Sequence, residues 1–118
     1  DELIVSDTEG NAVNTILSAD NEQVIPDEYS LGNNYPNPFN GTTRIKYSIP
    51  EVADLSFRIY NILGQEIFRS EQKMVKPGYY SFVWHGQNTF GENVASGIYL
   101  YQMKTEGFIS HKKMLYLK

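Results

Sequence analysis

Thr43 to Tyr60 reads TRIKYSIPEVADLSFRIY, and this stretch decides the fold. Ile45, Tyr47 and Ile49 alternate with Arg44, Lys46 and Ser48 until Pro50 stops the run; Leu55, Phe57 and Ile59 then alternate with Ser56, Arg58 and Tyr60. Successive side chains of a strand point to opposite faces, so each run predicts a strand with one apolar and one polar face. Working outward, Asn61-Ile62-Leu63-Gly64 reads as a turn in which Gly64 supplies a positive φ, and Glu66 to Ser70 as a short third strand. Pro77-Gly78 marks another turn, after which Tyr80, Phe82 and Trp84 share one face. Ile98 to Lys104 is apolar on both faces, which predicts a central strand or one whose second face is covered. Thr105-Glu106-Gly107 turns into a last strand over Phe108 to Leu117. Six or so short strands, Gly/Pro turns and no convincing helix predict an all-β sandwich.

The 118 residues suit one domain, and 41% apolar content supports a core. Absence of cysteine excludes a disulfide-stapled miniprotein and a thiolate metal site, and no apolar run is long enough to span a membrane as a helix. The net charge of −4 conceals a split. Residues 1–28 hold eight acids (Asp1, Glu2, Asp7, Glu9, Asp20, Glu22, Asp27 and Glu28) and no base; residues 29–118 hold six acids and ten bases, so −8 joins +4. The split predicts an acidic lead-in, the end of an upstream domain plus a linker, followed by a module over 29–118. Within the lead-in, Leu3-Ile4-Val5, a polar turn at Gly10-Asn11 and Ala12 to Leu17 favour strand–turn–strand over a short helix, and Ser18 to Glu28 reads as a linker. The chain opens without Met or a secretory leader pattern, as a piece of a longer protein would.

The catalytic inventory is thin. His85 and His111 have no partner at metal-ligand spacing, and Ser96-Gly97 beside a distant histidine is a chance-level nucleophile signal. No phosphate loop or nucleophile elbow occurs. No catalytic residue, cofactor or metal site is expected, and acidity with dispersed bases disfavours nucleic acid. Gln87 to Asn93 offers several oxygens but one carboxylate, so a solvated turn is favoured over a calcium site. Asn40-Gly41-Thr42 matches a glycosylation sequon. Nine Tyr, six Phe and one Trp raise the alternative of a carbohydrate-binding platform, yet the spacing of Trp84 from Tyr80 and Phe82 points it to the core.

An ordered series of blocks carries more. Leu31 to Asn40 reads LGNNYPNPFN, with Asn34, Tyr35, Pro36, Asn37, Pro38, Phe39 and Asn40 in one run. Thr42 to Ile45, Tyr47 to Pro50 and Ile59 to Glu66 (with Gly64) follow; then come Trp84-His85-Gly86, Gly91, Val94 to Tyr99 and Lys112-Lys113-Met114-Leu115. Together these resemble the C-terminal sorting domain of proteins exported by the type IX secretion system, related to the immunoglobulin-like domain of flagellar hook-capping proteins. The resemblance implies an immunoglobulin-like antiparallel β-sandwich of about seven strands, at the end of a secreted or surface-exposed parent exported through the periplasm. It implies as partners an outer-membrane secretion translocon, a sortase-like protease and the parent's upstream domain. Gly41 and His85 stand where members commonly carry Pro and Asp.

Physical roles follow for these blocks. The prolines of Tyr35-Pro36-Asn37-Pro38 favour extended geometry before them, so Tyr35 or Phe39 can anchor the segment while Asn side chains satisfy turn groups. Gly97 is expected to allow a sharp turn into the strand of Tyr99, where a Cβ would clash. Lys112, Lys113, Met114, Leu115 and Leu117 make a basic, apolar end: four lysines and one glutamate lie in 104–118. That end reads either as a recognition strand open to strand addition or as a closing strand with solubilising lysines. An immunoglobulin-like structural module of an extracellular scaffold or hook-cap-like assembly is the other reading of the whole.

Overall fold

A computed structural model describes residues 25–118 of the protein. The strand–turn–strand expected at 3–17 and most of the acidic lead-in lie outside the described residues. Seven strands follow: β1 (Ser30–Tyr35), β2 (Thr43–Ile49), β3 (Ala53–Tyr60), β4 (Glu66–Val75), β5 (Gly78–Trp84), β6 (Gly97–Lys104) and β7 (Ile109–Tyr116). They form two antiparallel sheets, β1-β2-β5 and β4-β3-β6-β7, packed as an immunoglobulin-like sandwich. The alternation of the opening stretch holds: Ile45, Tyr47 and Ile49 from one sheet and Leu55, Phe57 and Ile59 from the other are buried together. Phe57 stacks on Phe82 (5.1 Å) and meets Tyr47 edge-on (4.8 Å), so the two inner faces interlock through rings.

β6 is central, as its two apolar faces predict. Tyr99, Tyr101 and Met103 are buried, while Ile98 and Leu100 lie on the outer face beside Leu115 and Lys113. The expected short strand at Glu66 to Ser70 is a correction: β4 runs to Val75. Its second half is mostly exposed, so it carries no apolar alternation, and pairing with β3 alone extends it. One extra β4 residue is accommodated between the pairs Ala53–Val75 and Leu55–Gln72, where Met74 takes φ 55 and its N–H donates to Asp54 Oδ1 at 3.0 Å. β1 has no counterpart among the strands expected from alternation. Leu31 pairs with Tyr47 and Asn34 with Ile45, so β1 also carries an extra residue, and its inward positions lose the period of two.

Tyr101, fully buried, joins the sheets: its hydroxyl donates to the Gly32 carbonyl at 2.7 Å. Burial pushes this phenol up to about 12 from 10.0, and burial raises Tyr47 and Tyr99 as well. Below pH 10 the Tyr101 phenol is neutral in both folded and unfolded chains, and its contribution is fully present. From pH 10 to about 12 the unfolded chain loses the proton more readily, so stability falls as pH rises. Urea titrations across this range should show that fall. Tyr101→Phe should flatten it while costing about 1–2 kcal/mol at neutral pH, because the Gly32 carbonyl loses its partner.

Candidate functional site

β7 lies at an edge of the four-stranded sheet, and its end is held by the segment that leaves β1. Pro36 and Pro38 both follow cis peptide bonds. Asn34, buried, donates through Nδ2 to the Pro36 carbonyl (3.2 Å) and to Thr43 Oγ1 (3.0 Å), tying both ends of this connection. Asn37 Oδ1 then accepts from the Leu115 N–H at 3.0 Å. Phe39 N–H donates to the Leu115 carbonyl at 3.1 Å, and Leu117 N–H donates to the Phe39 carbonyl at 2.8 Å. The result is a parallel bridge between Phe39 and Tyr116. Lys118 N–H donates to Ser96 Oγ, which gives that serine a structural partner at the chain end.

Phe39, not Tyr35, is the anchor: it is buried, whereas Tyr35 is 80% exposed. Its ring stacks on Tyr116 (4.8 Å) and meets Trp84 edge-on (5.8 Å), and Trp84 in turn meets Tyr99 (5.4 Å). Trp84 is buried with Nε1 donating to the Gln87 carbonyl, so its ring is core and presents no face for a sugar. Gly86 sits against the same cluster at φ 70; a Cβ there would lie 2.6 Å from Tyr116 Cζ. Gly97 is a correction. Its φ of 154 calls for glycine, but a Cβ would meet nothing within 4 Å, so backbone conformation rather than a clash sets the residue.

Blocks scattered from Asn34 to Tyr116 thus converge on the end of β7. Met114 and Tyr116 are core residues, Lys112 is half-buried on their side of the strand, and Lys113, Leu115 and Leu117 face outward. Asn40 and His85 are exposed, and among the described residues their side chains form no hydrogen bond to this cluster. Gly64 stands apart in the turn between β3 and β4, at φ 84. Its turn has a twin that sequence reading missed. Asn61 Oδ1 accepts from Leu63 and Gln65 N–H, and Asn88 Oδ1 accepts from Phe90 and Glu92 N–H. Each asparagine donates through Nδ2 to the side chain four residues on, Gln65 or Glu92, at 2.8 Å. The shared signal is Asn-x-x-Gly followed by Gln or Glu. In the second copy Asn88 Oδ1 and Glu92 Oε1 are engaged within the loop, and Thr89 bonds Ile67 and Arg69 along the outer edge of β4. Among the described residues no group of three His, Asp or Glu is gathered to hold a metal ion.

The family model for the FlgD Ig-like domain matches residues 32–107. The chain belongs to the FlgD Ig-like domain family. No curated protein matches the sequence. Solved structures similar to this FlgD Ig-like domain include dimeric latent PorU from Porphyromonas gingivalis, with a TM-score of 0.60, 17% identity, and coverage of 80% of this chain and 10% of that one. PorZ, an essential surface component of the type-IX secretion system of the same bacterium, gives 0.49, 17%, 78% and 12%. FlgD from Xanthomonas campestris, described for hook capping in flagellar assembly, gives 0.50, 16%, 77% and 63%. At these identities the likeness is one of fold, and the chain spans about a tenth of PorU and PorZ.

Two substitutions test the clasp. Gly86→Ala combines a left-handed backbone with a collision against the Tyr116 ring and should cost about 2–4 kcal/mol in urea unfolding. Asn37→Ala should cost about 1 kcal/mol and speed amide exchange at Leu115 while leaving β2 and β3 unchanged.

Proposed function

We propose that residues 29–118 act as a non-catalytic C-terminal sorting domain that directs a larger protein through the type IX secretion system to the cell surface or medium. The partners are an outer-membrane translocon, a sortase-like protease and the upstream domain of the parent. One observation carries this reading: the blocks at Asn34–Phe39, Trp84–Gly86 and Gly97–Tyr99, far apart in sequence, converge on the end of β7. Asn37 and Phe39 hold that strand end in place while Lys113, Leu115 and Leu117 point away from the core. A recognition strand held this way loses little conformational freedom on binding. No helix among the described residues is long and apolar enough to cross a membrane.

Family membership favours a second reading, a structural immunoglobulin-like module of an extracellular scaffold or hook-cap-like assembly. The two part at the outward residues of β7. Deleting Lys112 to Lys118 would not separate them, because Met114 and Tyr116 belong to the core. The test fuses the full chain behind a periplasm-targeted reporter in a bacterium with a type IX system. Lys113→Glu with Leu117→Ser should leave the urea midpoint nearly unchanged and reduce surface reporter to the level without the domain. Undiminished export by that folded variant would overturn the sorting role of β7.

A further inference from the structure

Asn40, Gly41 and Thr42 form a short bridge between two fixed points. On one side the Phe39 N–H and carbonyl are bonded to Leu115 and Leu117 at the end of β7. On the other side Thr43 opens β2; its Oγ1 donates to the Pro36 carbonyl (2.8 Å) and accepts from Asn34 Nδ2 (3.0 Å). The three bridging residues are exposed and belong to no strand.

Asn40 differs here from other asparagines of the fold. The carboxamides of Asn34, Asn37, Asn61 and Asn88 are engaged in hydrogen bonds. Among the described residues neither the Asn40 carboxamide nor the Gly41 N–H has a hydrogen-bond partner. Asn40 is also the one asparagine of the chain that glycine follows. A side chain at the following position crowds the approach of its amide nitrogen to the carboxamide before it, and glycine removes that obstacle. A Cβ at Gly41 would meet nothing within 4 Å, so the space around this peptide is open as well.

We propose that Asn40 is a site of spontaneous modification, in which the Gly41 nitrogen attacks the Asn40 carboxamide. A bond forms between that nitrogen and Cγ, and ammonia leaves with the side-chain nitrogen and the Gly41 proton, giving a succinimide. Water then opens the ring. Breaking the new N–Cγ bond leaves aspartate. Breaking the original peptide C–N bond leaves isoaspartate, with the main chain rerouted through Cβ and Cγ. Nothing is oxidised or reduced, and water is the co-reactant. Either product places a negative charge beside Phe39 and removes the sequon at Asn40-Gly41-Thr42. Isoaspartate also adds a methylene to a short bridge whose two ends are held. The nearest bond that can yield is the one from the Leu117 N–H to the Phe39 carbonyl, so the hold on the end of β7 weakens. The chemistry stands apart from the sorting reading, and neither needs the other.

Peptide mapping by mass spectrometry tests the chemistry on the full 118-residue chain, held at mildly alkaline pH in heavy-oxygen water. The segment around Asn40 should take up a solvent oxygen and yield both aspartate and isoaspartate, while Asn61 and Asn88 stay intact. Its rate should match that of a synthetic peptide of residues 36–44, because the fold sets nothing in the way. Gly41→Pro removes the attacking N–H and should abolish the change, and Gly41→Ala should slow it severalfold. An Asn40 that stays intact while the peptide reacts, or product that forms equally in Gly41→Pro, would overturn the proposal. Amide exchange by NMR tests the consequence for β7. The isoaspartate chain should exchange the Leu117 amide about fivefold faster than Asn40→Asp, which carries the charge without the methylene, as the loss of roughly one hydrogen bond gives. Equal exchange in the two would overturn the weakened hold on β7.

Discussion

The structure depends on the clasp between Phe39 and the end of β7. One backbone N–H and one carbonyl of Phe39 bridge Leu115 and Leu117, and its ring fills the space between Tyr116 and Trp84. An edge strand has a paired neighbour on one side only and is prone to fray. Here a connection from the opposite sheet supplies the missing partner. That one contact closes the sandwich along the β1–β7 side, buries Tyr116 and fixes which residues of β7 face outward.

Two of the other edges, β4 and β1, are treated with equally local means. β4 carries a bulge at Met74 and receives the Thr89 loop; β1 bulges between Leu31 and Asn34. The Thr89 loop owes its shape to the same Asn-x-x-Gly device that turns β3 into β4, in which an asparagine carboxamide substitutes for a peptide group on both its donor and acceptor sides. A loop that satisfies its own polar groups can lie along a strand edge without leaving buried donors unpaired. Asn88 Oδ1 and Glu92 Oε1 are thereby engaged within the loop itself.

Residues with a period of two were legible because burial on one face leaves a direct imprint on composition. Ile45, Tyr47, Ile49, Leu55, Phe57 and Ile59 all lie where alternation puts them, as does Trp84. β1 and the second half of β4 were illegible for the converse reason: a bulge breaks the period of Leu31 and Asn34, and Glu71 to Met74 have no buried face to imprint. Gly86 stood out in the sequence as part of a block, but nothing local says that its missing Cβ makes room for Tyr116, thirty positions on. Gly97 shows the opposite failure, a glycine explained by crowding where the backbone angle alone requires it.

Sequence by itself determined the fold class, the turns at Gly64 and Pro77-Gly78 and the alternating part of the core, because each depends on side-chain chemistry repeated at short range. It also determined the charge split, which is a matter of counting. Tertiary structure alone decided that Asn37 and Phe39 hold Leu115 and Leu117, and that Tyr101 joins the sheets through Gly32. It decided too that β7 is an edge strand of its sheet among the described residues. Those contacts span some seventy residues or more, where the pairing of one backbone group with another leaves no mark on the intervening sequence.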